Sequence, residues 1–391
     1  MKFDNQLRYA VQIIHDYSGD IPLHAGLKNF FRDHPQMGSN DRKQVSALVY
    51  SYYRLGHALR NIRLEERLFI GNFLVSKSDN PILSYFKPEW GPLMKESLQK
   101  KLDYLLSYGI FIHLNEIFPW KEEISPSIEY DSFCKSFLVQ PDLFIRIRPG
   151  YEELVKSKLS GHKISFEAMR GSALRLSNSS PVDKILDLDK EAVIQDYSSQ
   201  RAGDFLPDPE NFRGGAKAWD CCAASGGKSI LLHDLIPGIS ITVSDIRKSI
   251  LINLEKRFAR AGIKKYKSFT ADLCKPLPNI HQLKNPFDVV LLDAPCSGSG
   301  TWSRNPDELY FFDPKEIRYF RNLQEQIFSR VIVKIKPKGY FVYITCSVFH
   351  EENEGMVQYI LENSALQLIQ SNLVKGYMDK ADTLFVASFR A

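Results

Sequence analysis

The chain has 391 residues, 44% of them hydrophobic and 25% charged, with a formal net charge of +5, which is ordinary for a soluble globular protein of two or three domains. No apolar run approaches the roughly 18 residues of a membrane span, and the polar start "MKFDNQLRYAVQIIHDYSGD" is not a secretory signal; the expected address is cytoplasmic. Six cysteines without a C-x-x-C spacing argue against a disulfide framework and a structural zinc site, and the excess of base sits after residue 215, where 23 basic residues face 18 acidic ones.

The first 130 residues read as all-helical. Leu7, Val11 and Ile14 recur at helical spacing, as do Val45, Leu48, Tyr52, Leu55 and Leu59, and Ser39, Asn40 and Asp41 offer a helix start. A helical bundle follows, and its scattered histidines are read as surface or capping residues. From about Asp131 the pattern changes. "DLFIRIRPG" alternates apolar and basic residues as a strand with one exposed face does, "YEELVKSKLSG" reads as a short helix, and "ALRLSN" as a further strand. Arg146 and Arg148 then share one sheet face, either as phosphate contacts or as solvated edge residues.

From Lys217 strands and helices alternate. "KAWDCC" reads as a short buried strand, followed by a glycine turn and the helix "KSILLHDLI". "ISITVSD" and "YKSFTAD" are strands ending in acids, separated by the helix "RKSILINLEKRFARAG". "FDVVLLDAPC" is almost entirely apolar, as a strand covered on both faces is. "LQEQIFSRVIVKIKPKG" is taken as a helix with a Pro-Gly exit, "YFVYITCS" as the fifth strand, and "ALQLI" and "TLFVASF" as two more. This alternation predicts a doubly wound α/β sheet with ligands outside the carboxyl ends of its strands.

Those ends carry the chemistry. "WDCCAASGGKS" finishes like a triphosphate-binding loop, but Cys222 stands where that loop needs its first glycine. Asp245, ending the second strand, suits a ribose diol, and Asp272, after the third, suits the exocyclic amine of adenine. A glycine turn opening a helix admits carboxylate as readily as phosphate. No G-x-G-x-x-G is present, and two strands follow the fifth, so S-adenosylmethionine fits better than a nicotinamide cofactor. Asp293 and Cys296 end the fourth strand and Cys346 the fifth. Carbon 5 of a pyrimidine is a poor nucleophile until a thiolate adds to carbon 6 and pushes electron density onto it. A free thiol is only a few per cent ionised near neutral pH, and "SVFHEENEGMVQYI" puts a helix start just after Cys346 to favour its thiolate.

With these motifs in order, the chain resembles the RNA cytosine-5 methyltransferases of the Sun (Fmu) family. "CAASGGK" is similar to that family's C-A-A-P-G-G-K loop, "LLDAPCSGSG" to its D-A-P-C-S segment, and "YITCSVFHEENE" to its T-C-S motif. "VIQDYSSQRAGDFL" resembles the segment preceding the family's first strand, and "NDRKQVSALVYSYYRLG" the NusB-like RNA-binding domain of bacterial members. The resemblance implies three parts: a NusB-like domain over 1–130, a small α+β RNA-contacting segment over 131–195, and a Rossmann-like class I methyltransferase domain over 196–391. It implies Cys346 as nucleophile, Cys296 as the cysteine assisting product release, and Asp293 near ring nitrogen 3 and the cofactor. Cys222, Ala223, Ala224, Ser225, Gly226, Gly227, Lys228, Asp245 and Asp272 fall on S-adenosylmethionine positions. Lys228 otherwise reads as a surface residue opening a helix. Arg304, with Arg146 and Arg148, is assigned to RNA, or else Arg304 pairs with Asp307. Ser225 replaces the family's usual proline, Ser303 the first of an arginine pair, and Arg148-Pro149 the end of an R-V-N strand. The expected substrate is 16S rRNA, with tRNA as the alternative, and the enzyme is expected to be a monomer. A non-catalytic RNA-binding assembly factor is the competing class.

Overall fold

The computed structural model describes residues 2–212 and 215–391. Seven helices come first: α1 (Phe3–Asp16), α2 (Leu23–Asp33), α3 (Ser39–Arg54), α4 (Leu64–Val75), α5 (Pro81–Phe86), α6 (Leu98–Ser107) and α7 (Tyr130–Ser136). Then follow β1 (Leu143–Ile147), α8 (Glu152–Gly161), β2 (Phe166–Ala168), β3 (Ala173–Leu176), β4 (Ala192–Ile194) and α9 (Tyr197–Arg201). The alternating part begins with β5 (Lys217–Asp220), α10 (Gly227–Leu235), β6 (Ser240–Asp245), α11 (Lys248–Arg260), β7 (Tyr266–Thr270) and β8 (Phe287–Asp293). It ends with α12 (Pro306–Phe311), α13 (Lys315–Val331), β9 (Ile335–Thr345), α14 (Glu354–Glu362), β10 (Gln367–Val374) and β11 (Leu384–Arg390).

The chain divides into two compact units. One comprises the residues up to Glu122, Glu129–Gln140 and Thr301–Asp313. Val45, Leu48, Tyr52, Leu55 and Leu59 are buried in it, as their spacing predicts. Asp41 does not cap α3; Gly38 precedes the helix without a side-chain cap, and Asp41 accepts from Gln6 Nε2 at 2.7 Å. The Thr301–Asp313 stretch is tied into this unit by the buried Arg54, which donates to the carbonyls of Phe137 and Ser303. Asp307 accepts from Tyr17 Oη and from the Leu23 amide.

The second unit comprises Glu123–Ile128, Pro141–Gly300 and Pro314–Ala391. It contains two sheets. The smaller is antiparallel, in the order β2-β3-β1-β4. The larger has the order β10-β11-β9-β8-β5-β6-β7, with β9 through β7 mutually parallel and β11 antiparallel to both of its neighbours, β9 and β10. Strand order reverses beside β5, which leaves a crevice at the carboxyl ends there. α11 packs Leu251, Leu254 and Phe258 against the sheet, leaves Lys248, Lys256 and Arg260 exposed, and stops at Gly262, whose φ of +72° is free only to glycine.

Three local expectations change. The helix expected to run to Gly339 ends at Val331, and Ile335 to Thr345 form one long strand pairing with β8. β1 has no exposed face, because Arg146 is buried alongside Ile145 and Ile147. The helix expected just after Cys346 begins only at Glu354. Among the described residues no helix is long and apolar enough to cross a membrane.

Candidate active site

A cleft of about 440 Å³ opens at the carboxyl ends of β5 to β9. β5 contributes Cys222 and Ala224, β6 Asp245 with Ile246 and Arg247, and β7 Asp272 with Leu273 and Cys274. β8 contributes Asp293 to Cys296 and β9 Cys346, while Leu323 and Ile327 of α13 form an apolar wall. Ile246 is 62% exposed there, an apolar surface beside the Asp245 carboxylate. An acid for a diol, a second acid at the next strand end and an apolar flank fit an adenosine-bearing ligand such as S-adenosylmethionine.

The glycine turn is shaped from within. Ala224 (φ +44°) and Gly226 (φ +84°) both take left-handed backbone, and a Cβ on Gly226 would lie 2.9 Å from Leu254 and Phe258. Asp245 accepts from the Ala224 amide at 3.0 Å and from the Arg247 amide at 2.9 Å, so the second strand's acid also clamps the loop. Ser225, standing where a proline is usual, accepts from Arg257 Nη1 at both its carbonyl and its hydroxyl, 3.0 Å each. Arg257 is itself held by Asp189. Of the seven loop residues assigned to the cofactor, Cys222 and Ala224 line the cleft; Ala223, Ser225, Gly226, Gly227 and Lys228 do not.

Lys228 is not a surface residue. Its Nζ donates to Asp293 Oδ2 at 2.9 Å and its side chain is 13% exposed. Burial alone would lower its pKa, but Asp293, and after it Cys346 and Asp220, outweigh burial and raise it, so the ammonium persists. Asp220 lies beneath the loop, wholly buried, accepting from Ser229 Oγ at 2.6 Å through one oxygen while the other has no partner. Burial pushes its carboxyl up to about 7, against the Ser229 hydrogen bond and with the Asp293 charge adding to the rise.

The two cysteines meet. Cys296 Sγ and Cys346 Sγ are 3.3 Å apart, both half-buried and both lining the cleft. The hydrogen bond with Cys346, burial, and the charges of Cys346 and Glu352 push the Cys296 thiol well above its ordinary value. α14 starts eight residues after Cys346 rather than directly after it; a nearby cation is Lys228. Behind the pair lies a polar layer that no motif in the sequence announces. Glu352 accepts from the Ser297 amide, Ser347 Oγ and Gln324 Nε2. Asn353 accepts from Thr345 Oγ1 and donates to the Ser347 carbonyl. The one signal for it is the run "HEENE" after the cysteine.

The arginines assigned to RNA lie elsewhere. Arg146 and Arg148 do share a face, but both are spent on Asp234 of α10, each with a nitrogen 2.6 Å from a carboxylate oxygen. Arg146 also donates to Gln195, and Arg148 to the carbonyls of Asp189 and Ala261. Both arginines are buried, and Arg146 Nη2 has no hydrogen-bond partner among the described residues. Arg304 is half-buried in the helical unit.

Residues 209–384 match the family described as 16S rRNA methyltransferase RsmB/F. The ribosomal RNA small subunit methyltransferase B of Erwinia tasmaniensis is 26% identical over 297 residues, 73% of this chain and 64% of that protein. The protein of the same name from Salmonella arizonae is 31% identical over 198 residues, 49% of this chain and 43% of its own. The chain thus spans less than two thirds of the length of these curated relatives. Among solved structures, PH0851 superposes with a TM-score of 0.68 at 19% identity over 98% of this chain and 97% of its own. A methyltransferase homologue from Pyrococcus horikoshii gives 0.58 at 22% identity over 74% and 98%. These two likenesses show the fold, a Rossmann-like α/β sheet.

Proposed function

We infer that this chain, whose residues 209–384 are a methyltransferase domain of the RsmB/F kind, methylates carbon 5 of a cytosine in structured RNA, 16S rRNA before tRNA. The observation that carries the inference is the meeting of the Cys296 and Cys346 sulfurs, 3.3 Å apart, in the cleft that Asp245, Asp272 and Asp293 line. An exocyclic amine needs no thiol, whereas carbon 5 needs one to activate it and a base to remove its proton afterwards.

S-adenosylmethionine, when bound, supplies an electrophilic methyl group on a sulfonium. The flipped base enters the cleft at the cysteine end. The Cys346 thiolate, with the ammonium of Lys228 for a neighbour, adds to carbon 6. The electron pair of the 5,6 double bond then moves onto carbon 5, which takes the methyl group. Asp293, held by the Lys228 ammonium, meets the pyrimidine edge near ring nitrogen 3. Cys296, held largely as the thiol by its surroundings, is a strong base in the fraction that ionises. It removes the proton from carbon 5, and the returning electron pair restores the double bond and expels Cys346. In this reading the helical unit grips the RNA, as its NusB-like sequence implies.

The test incubates the purified chain with methyl-labelled S-adenosylmethionine and separated rRNA and tRNA. Label in 5-methylcytosine of 16S rRNA is expected; none in 5-methylcytosine of any RNA would refute the reading. Cys346→Ala abolishes turnover, whereas Cys296→Ala accumulates a protein–RNA adduct that survives denaturing gels. Adduct accumulation by the Cys346 variant instead would reverse the two roles.

A further inference from the structure

The polar layer behind the cysteines is expensive. A carboxylate taken fully out of water costs several kcal/mol by order of magnitude, and an apolar side chain of similar size would pack there without that cost. Glu352 is 0% exposed, and burial raises its pKa against the hydrogen bonds it accepts. Its bonds go to particular places. Oε2 accepts from the amide of Ser297, the residue after Cys296, at 2.9 Å, and from Gln324 Nε2 at 3.1 Å. Oε1 accepts from the hydroxyl of Ser347, the residue after Cys346, at 2.7 Å. One side chain therefore holds the neighbour of each sulfur.

The adjacent residue completes the grip. Asn353 accepts from Thr345 Oγ1 at 2.6 Å and donates to the Ser347 carbonyl at 2.9 Å, so both neighbours of Cys346 are fixed from the same dipeptide. Ser297, Ser299 and Ser347 interlock through their hydroxyls, 3.0–3.2 Å apart. The Gly300 amide donates to the Cys346 carbonyl at 2.8 Å, at a spot where a Cβ would sit 2.1 Å from the Thr383 carbonyl oxygen. Residues 294–298 and 346–348, which carry the sulfurs, lie in no helix or strand, so these side-chain bonds act with the Gly300–Cys346 backbone bond to set where the sulfurs stand.

We propose that Glu352 is a positioning residue that fixes the distance between the two sulfurs, its single carboxylate joining the loop of Cys296 to the loop of Cys346. It touches neither base nor cofactor and acts through Ser297 and Ser347. The proposal rests on the reading of the two cysteines as the reacting pair, but its consequence is geometric and can be read without any methyl transfer.

The geometric probe is phenylarsine oxide, which condenses with two thiols close enough to chelate: two S–H bonds and the As=O bond break, two As–S bonds form, and one water leaves. Arsenical bound by the wild type and lost in Cys346→Ala reports the pair, apart from the other four cysteines. Glu352→Ala is expected to weaken that binding about tenfold and to lower kcat about a hundredfold, within the range seen when supporting residues behind reacting groups are removed. The KM for RNA and the dissociation constant of S-adenosylmethionine stay within about twofold, because Glu352 does not line the cleft. Glu352→Gln rescues both losses to within about threefold, since its oxygen can face Ser297 and Gln324 while its amide donates to Ser347 Oγ. Glu352→Asp, one methylene shorter, cannot span both loops and behaves like the alanine variant. An unchanged arsenical affinity in folded Glu352→Ala overturns the proposal, as does a loss confined to cofactor affinity or equal losses in the Gln and Asp variants. If the alanine variant does not fold, the Gln–Asp comparison decides. If the wild type methylates no RNA, the proposed function fails while the arsenical arm still tests the clamp.

Discussion

Removing the Asp234 carboxylate leaves two guanidiniums buried without a counter-charge. The side chains of Arg146, Arg148 and Asp234 are 4%, 9% and 3% exposed, so solvent screens little of their interaction. Burial alone would raise the Asp234 carboxyl, yet the His233 imidazole 3.8 Å away, the hydrogen bonds from Arg148 and the charge of Arg146 outweigh it and hold the group well below the usual carboxylate range. Breaking one partner out of a buried ion pair costs about 3–5 kcal/mol, whereas replacing a whole group by apolar residues of similar volume is near neutral. For a unit of this size that loss lowers the melting temperature by about 6–20 °C. Asp234→Asn should show this shift in calorimetry, nearly independent of salt because the group is shielded. The triple variant Arg146→Met, Arg148→Met, Asp234→Leu should melt close to the wild type. Since the folded pKa is depressed, the stabilisation is present above the unfolded carboxylate value and disappears as pH falls through the folded one. A shift in Asp234→Asn below about 1 kcal/mol would refute the ion-pair reading. So would a fall in RNA affinity in Arg146→Ala or Arg148→Ala with the melting temperature unchanged, which would return these arginines to the RNA surface.

Asp220 makes the opposite prediction. Its carboxyl is raised to about 7 in the fold, so the folded state binds the extra proton and stability falls as pH rises from the ordinary carboxylate value to about 7. Ionising a carboxyl raised that far costs the fold about 4 kcal/mol at pH 8 by order of magnitude. Asp220→Asn should therefore stabilise at pH 8 and change little at pH 4, and equal melting shifts at both would sink the reading. Arg257→Ala removes both bonds to Ser225 and should weaken S-adenosylmethionine binding about tenfold, at roughly 1.5 kcal/mol for a bond to a charged group. Isothermal calorimetry reads this directly, and affinity unchanged within twofold would mean the loop needs no such support.

What the sequence makes legible is whatever depends on local order. The acids at Asp245, Asp272 and Asp293 end or closely follow strands, and period and residue type suffice to put them at carboxyl ends. What it hides depends on partners distant along the chain. Alternation predicts that Arg146 and Arg148 share a face but not that Asp234, 88 and 86 positions away, covers it. Lys228 reads as solvent-facing until Asp293 is brought to it across 65 residues. The delayed start of α14 has the same origin. After Cys346 the side chains of Ser347, Ser299, Glu352 and Asn353, with the Glu123 carbonyl, occupy the backbone amides and hydroxyls that an immediate helix would rearrange. In "IKPKG" the proline and glycine suggest an exit, but pairing of Phe287 with Ile335, followed by a register shift, admits the irregular backbone at Lys338 (φ +60°) into β9.

Strand order adds an argument that sequence order hides. Across the sheet the neighbours run β9, β8, β5, β6, β7, so the strand-end groups come in the order Cys346, then Asp293 with Cys296, then the glycine loop, then Asp245, then Asp272. Along the chain Cys346 comes last, farthest from the loop. The parallel register pairs Asp293 with Ile344, which sets Cys296 three residues beyond one member of the pair and Cys346 two beyond the other. Two short exits from adjacent parallel strands, about 4.8 Å apart, are enough to bring the sulfurs within reach, and the Glu352 clamp has only to close the remaining gap. The cleft is thus graded from thiols at one end to carboxylates at the other, with Asp293, paired to Lys228, between them. In the proposed reaction, a base entering at the thiol end and an adenosine lying over the acids would meet where β8 separates the two halves, which is where the methyl group would cross.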